Sequence, residues 1–268
     1  MKTVSLALKS IGDEGQPLPA VFRGLHQLGA EIRRGQVTLI AAASGGGKST
    51  LATYLSLSMN YGNGSKVPTL YFSADSDRMT FGKRVAASVL RSYSAEAERL
   101  ITERNQEFLN KLDEETRHMW VSFDEAPTPV DIDTEVNSFA LVYGQFPHLI
   151  VVDNLMDVSI GDTTKTGHDL VVDFCRRLAR RTQSAVIVLC HVTGIDRDGG
   201  YYSDGKVPIP KSGLMNKIDK SARLILTLFQ PQPGVMEVCV VKNTGGRADS
   251  QCSVSVRVPY LPERGWFG

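Results

Sequence analysis

The chain has 268 residues, 42% apolar and 22% charged, enough for one large α/β domain with a full core. A formal net charge of +1 excludes a global electrostatic pull on nucleic acid, so any such contact must come from local patches. No apolar run approaches membrane-spanning length and no signal peptide opens the chain, so a reducing cytoplasm is the expected compartment.

Residues Met1 to Arg34 contain Gly-Asp-Glu-Gly and Pro-Leu-Pro and read as a loosely structured lead-in. Residues 1–20 are expected to form a lead-in or subunit-contact arm, and 21–268 a single domain. From Val37 onward, short β-rich runs alternate with longer helical patterns. The expected strands are Val37–Ala42, Thr69–Ser73, Met119–Phe123, His148–Asp153 and Ala185–His191. The expected helices are Ser49–Tyr61, Arg78–Leu112, Asp131–Tyr143 and His168–Thr182. Strands separated by helices require right-handed crossovers and a mainly parallel sheet. After Lys211 the pattern turns strand-like over Ala222–Phe229, Val235–Val241 and Ser253–Val258, which predicts an antiparallel extension. Cys175, Cys190, Cys239 and Cys252 show neither close pairing nor metal-type spacing, and buried reduced thiols are expected.

Ala42-Ala43-Ser44-Gly45-Gly46-Gly47-Lys48-Ser49-Thr50 lies between the first strand and the first helix. That is the order of a phosphate-binding loop, although Ala42 stands where the first glycine is usual. Glycines let successive backbone N–H groups turn inward around a triphosphate, and the helix N-terminus adds its positive end. Residues Ser44 to Thr50 are therefore the expected ATP-binding segment. Lys48 would reach the β- and γ-phosphates, and Ser49 would place its hydroxyl on Mg²⁺.

Leu149-Ile150-Val151-Val152-Asp153-Asn154 ends an apolar strand in a carboxylate, which the sheet delivers to the same edge. Asp153 is the expected second Mg²⁺ contact, through water. Asp75, just past the second strand, is the candidate that orients the attacking water. An aspartate there also suits a helix cap, a role for which Asp77 competes. His191 ends the strand Ala185–His191, where a polar side chain senses the γ-phosphate; His148 and His168 have no comparable setting and read as structural.

The run Trp120-Val121-Ser122-Phe123-Asp124-Glu125-Ala126-Pro127, a helix, and then Leu149 to Leu155 resemble the ATPase domain of DnaB-type replicative helicases. So does Val172-Asp173-Phe174-Cys175-Arg176-Arg177-Leu178-Ala179-Arg180 leading into a strand with a polar end. Phage ring helicases, KaiC and the RadA/RecA recombinases are relatives, and the resemblance runs from about Val21 to the C-terminus. It implies a RecA-like ATPase core that forms a ring, usually hexameric, around single-stranded DNA, acting with other replication proteins in the host cytoplasm if phage-encoded. Asp75 falls where the family has a glutamate, and His191 matches its Gln or His sensor. Lys242, in Val241-Lys242-Asn243-Thr244-Gly245-Gly246-Arg247, matches a lysine that acts on the neighbouring subunit's γ-phosphate. The arginine usual two residues on is Thr244, which leaves Arg247 as a displaced substitute.

DNA contacts are expected from two loops. One spans Ser159 to Gly167 and carries Lys165; the other, Gly194–Ser212, carries Arg197, Lys206 and Lys211, with Tyr201 and Tyr202 available for base stacking. The same core also serves recombination ATPases and KaiC-like nucleotide switches, and the motifs do not separate these alternatives from a helicase.

Overall fold

The computed structural model describes residues 12–160, 165–192, 202–214 and 218–267. The strands are β1 (Val37–Ala42), β2 (Thr69–Ser73), β3 (Met119–Ser122), β4 (Leu149–Asp153), β5 (Ala185–His191), β6 (Leu224–Gln232), β7 (Val235–Asn243), β8 (Ser255–Leu261) and β9 (Trp266–Phe267). They form one nine-stranded sheet in the order β3-β2-β4-β5-β1-β6-β7-β8-β9. Strands β1 to β6 run parallel, and β7, β8 and β9 alternate in direction beyond them. The run expected to open the antiparallel extension, β6, is thus the last parallel strand, paired with β1 from Thr38↔Leu224 to Ala41↔Thr227.

The seven α-helices among the described residues are α1 (Arg23–Gln27), α2 (Lys48–Ser58), α3 (Arg78–Leu90), α4 (Ser94–Thr102), α5 (Gln106–Thr116), α6 (Pro129–Tyr143) and α7 (Lys165–Thr182). Helices on both faces explain why β1 and β4 are buried at every position and read as unbroken apolar runs. On one face, α2 and α3 close a core around Leu51, Leu55, Tyr71 and Phe81; on the other, α6 and α7 close one around Val136, Phe139, Val171 and Leu178. No described helix is long and apolar enough to cross a membrane.

Three sequence expectations are corrected. The single helix Arg78–Leu112 is three helices. Arg91 and Arg104 adopt left-handed conformations (φ 53° each) that end α3 and α4, and the Asn105 side chain then caps α5 by accepting from the Phe108 N–H at 2.9 Å. Residues 12–34 are not loose. Leu18, Leu25 and Ala30 are buried, Pro17 bridges to Arg33, and Asp13 pairs with Arg34 at 2.6 Å. Residues 1–11 lie outside the described residues. The cysteines are not all free, because Cys239 on β7 is disulfide-bonded to Cys252, while Cys175 and Cys190 are buried thiols, each pushed up to about 12 by desolvation.

Candidate nucleotide-binding site

Parallel strands deliver their carboxyl ends to one edge, and the β1–α2 loop, Asp153, Asp75 and His191 all lie there. Within the loop, Gly45 (φ 68°) and Gly47 (φ 81°) take conformations that L side chains resist, and Gly47 is the residue from which α2 starts. A Cβ on Gly46 would lie 2.9 Å from the Ala43 carbonyl and 3.0 Å from the Ala42 Cβ. The glycine at 46 thus leaves room for the alanine that replaces the usual first glycine. Ser44 and Gly45 are exposed at the crest, and Gly46, Gly47, Ser49 and Thr50 are half-buried behind it.

Lys48 is only 6% exposed. Its Nζ donates to the Ala43 and Ala42 carbonyls at 2.9 and 3.2 Å and lies 3.4 Å from His191 Nδ1. Burial lowers the pKa of this ammonium, opposed by Cys190, Asp153 and Asp75 nearby. Burial likewise lowers that of His191, reinforced by the Lys48 charge, so the imidazole is held towards its neutral form. A cation satisfied only by neutral carbonyls and an imidazole is prepared for an incoming anion.

Asp153 is 1% exposed and doubly held. The Ser49 hydroxyl donates to Oδ1 at 3.1 Å and the Tyr71 hydroxyl to Oδ2 at 2.8 Å. Desolvation nonetheless raises its pKa, with the two hydrogen bonds acting in the opposite sense. A cation would relieve that cost. No cluster of three or more His, Cys, Asp or Glu able to hold a metal occurs among the described residues. One hydroxyl and one carboxylate instead suit Mg²⁺, which keeps waters and takes its other oxygens from phosphates. The residues present fit Mg²⁺–ATP.

Asp75 is exposed beside this pair, and its N–H, with that of Ala74, donates to the Asp153 carbonyl at 3.2 and 2.8 Å. The capping role falls to Asp77, whose Oδ1 accepts from the Met79 and Thr80 N–H groups at 2.8 and 2.9 Å. Asp75 is thereby left available to the site.

Lys242 and Arg247 are not brought to this edge. Lys242 pairs with Ile225, which pairs with Leu39, three residues before the end of β1 and two strands away from it. That puts Lys242 about 10 Å down the sheet from the loop and about 10 Å to the side. Its Nζ donates to the Asp219 and Lys220 carbonyls. Arg247 is exposed beyond it, with its N–H on the Leu28 carbonyl at 3.3 Å.

Of the expected DNA contacts, Arg197, Tyr201 and residues 161–164 lie outside the described residues. Lys165 opens α7, its side chain likewise outside them. Lys206 is exposed, whereas Lys211 is paired with Asp219 at 3.1 Å. Tyr202 corrects its expectation: it is 7% exposed within the α6–α7 core and presents no face for stacking.

Three further residues serve the site. Tyr71 supplies a phenol to Asp153. Arg84, on α3, lies close enough to favour the charged form of Asp153, with Nη1 buried and lacking a hydrogen-bond partner among the described residues. Tyr260 of β8 meets the loop from beneath. The signal for Tyr71 was a polar tip inside an apolar strand, and for Arg84 a cation three residues after Phe81 on a core-facing helix. Nothing in the sequence placed Tyr260 near residue 47.

A family model described as AAA domain matches residues 14–194. The Gene 65 protein of Mycobacterium phage L5 is 37% identical over 260 residues, covering 93% of this chain and 91% of the relative. The Gene 65 protein of Mycobacterium phage D29 is 35% identical over 224 residues, covering 80% and 90%. Among solved structures, one described as an ATPase domain superposes with a TM-score of 0.75 at 15% identity, covering 98% of this chain and 95% of that one. A DnaB-like replicative helicase, described with its interactions with primase, gives the same TM-score and identity, but this chain spans only 66% of its length. At that identity the likeness is one of fold, a RecA-like core with a mainly parallel sheet flanked by helices.

Proposed function

The chain belongs to the AAA domain family, and from that premise we propose that it is an ATP-dependent DNA translocase or helicase of the DnaB-like ring type. In this reading it hydrolyses ATP at subunit interfaces and moves on single-stranded DNA during phage replication, inside the host cell. The observation that carries it is that the site is half complete. Lys48, Ser49, Asp153, Asp75 and His191 share one edge, while Lys242 lies two strands over and about 10 Å down the sheet from it. A lysine so placed serves a neighbouring copy, not its own loop.

The residues divide the work. The loop amides and Lys48 bind the phosphates, and Ser49 and Asp153 hold Mg²⁺, which when bound neutralises charge developing on the phosphoryl oxygens. Asp75 orients the attacking water from its exposed position. His191, in contact with Lys48, registers loss of the γ-phosphate at the end of β5. Lys242, with Arg247 as the displaced arginine, completes the neighbouring site, so turnover depends on assembly. Lys165, Arg197 and Lys206 contact DNA phosphates, whereas the charge of Lys211 is met by its ion pair with Asp219.

The test is ATP turnover with and without single-stranded DNA, together with mass in solution and strand displacement from a forked duplex. DNA-stimulated turnover by a ring is the expected result. A monomer whose turnover ignores DNA refutes the reading. Strand exchange without unwinding would point to recombination. The short Asp75 side chain favours a second reading, a nucleotide switch, whose signature is tight ATP binding with negligible turnover even in the presence of DNA.

A further inference from the structure

The antiparallel extension reaches beneath the phosphate loop. Tyr260 of β8 is 3% exposed, and Met236 of β7 is fully buried beside it. A Cβ on Gly47 would lie 2.8 Å from Met236 Cε, 3.0 Å from the Tyr260 hydroxyl oxygen and 3.2 Å from its Cζ. The loop therefore rests directly on these two side chains. Burial raises the pKa of the Tyr260 phenol, and Thr50, in the first turn of α2, lies near enough to act in the opposite sense. The Tyr260 ring is itself fixed, stacked on Phe267 at 4.6 Å and 23°, and Phe267 packs against Tyr54 of α2 at 5.6 Å.

Above the tyrosine, Gly47 has no side chain to cap α2. The first helical bond, from the Leu51 N–H to the Gly47 carbonyl at 2.8 Å, spans the residues that Tyr260 touches. Four amides at a helix start lack intrahelical partners, and here they are the groups that face a phosphate. Their usefulness depends on being held still before the ligand arrives. Arg84 and Thr53 add to the polar layer around Tyr71 and Tyr260, and each keeps a buried atom without a hydrogen-bond partner among the described residues.

We propose that Tyr260 is a positioning residue for phosphate binding: its hydroxyl, carried on a fixed ring and lying directly under Gly47, holds the first turn of α2 in the conformation that receives a triphosphate. The role is binding, not chemistry. The expected effect is the same on ATP and ADP, because the loop amides meet both, and it falls on affinity with kcat at saturation preserved. It rests on the nucleotide-site reading above, and the experiment separates the two.

Tyr260→Phe removes the hydroxyl and keeps the stacked ring. In the nucleotide-free protein, amide hydrogen exchange at Leu51 to Thr53 is expected to quicken about threefold to tenfold, as the void left under Gly47 loosens the turn, with Val186 to Leu189 unchanged. The Kd of Mg²⁺–ATP and Mg²⁺–ADP should rise by a similar factor. Unchanged exchange and unchanged Kd in Tyr260→Phe overturn the proposal, as does a lower melting temperature without either effect. If wild-type protein and Lys48→Ala alike fail to bind ATP, the nucleotide reading falls, while the exchange result still decides whether Tyr260 holds the turn.

Discussion

Gly47→Ala tests the loop geometry directly. At φ 81° a Cβ costs about 1–2 kcal/mol in backbone conformation alone. The new carbon also meets two neighbours of different character. Met236 Cε, at 2.8 Å, is the end of a flexible chain and can retreat; Tyr260, at 3.0 and 3.2 Å, is clamped by Phe267 and cannot. Overpacking of this kind adds about 1–3 kcal/mol, for a sum of roughly 2–5 kcal/mol. At about 2–4 °C per kcal/mol for a domain of this size, the melting temperature should fall by roughly 4 to 20 °C. Gly45→Ala is the control: φ is 68°, nothing lies within 4 Å of its Cβ, and only the conformational cost applies. That variant should lose roughly 2 to 8 °C, and less than Gly47→Ala. Thermal melts of the nucleotide-free proteins read the difference, and titration of Mg²⁺–ATP should show the larger affinity loss in Gly47→Ala. Equal melting of the two variants would refute the contact beneath the loop.

Asp153→Asn should raise the melting temperature of the nucleotide-free protein, because it removes a buried carboxylate whose pKa burial has raised, and should abolish the Mg²⁺ dependence of ATP binding; melts and a Mg²⁺ titration check both. Asp75→Ala should lower kcat by about a hundredfold or more while shifting the nucleotide Kd less than about threefold, with Asp75→Glu active, measured by steady-state turnover and equilibrium binding. His118, His148 and His191 all have pKa values lowered in the fold, by burial first. The folded state therefore favours their neutral forms. Their contribution is present above the ordinary value of about 6.5 and is lost as pH falls below it towards the folded values. Melting temperature should decline from about pH 7 to about pH 5.5, and His148→Gln should flatten that decline.

What one sequence can reveal here follows from how far apart the cooperating residues lie. The loop, its strand and its helix are contiguous, so Gly45 to Ser49 announce a phosphate site on spacing alone, and apolar strands alternating with helices imply the parallel sheet. Asp153 and His191 were legible because a parallel sheet brings every strand's carboxyl end to the same edge. The breaks at Arg91 and Arg104 were not, because apolar periodicity continues across them while the backbone turns left-handed. Tertiary packing alone decided that Tyr202 is buried, that Cys239 meets Cys252, and that Tyr260 lies under Gly47. Each of these joins residues through space at separations that no local pattern encodes. Lys242 shows the division most plainly: its chemistry was readable from its neighbours in the chain, but only the strand register puts it on the side of the molecule where it cannot reach its own loop.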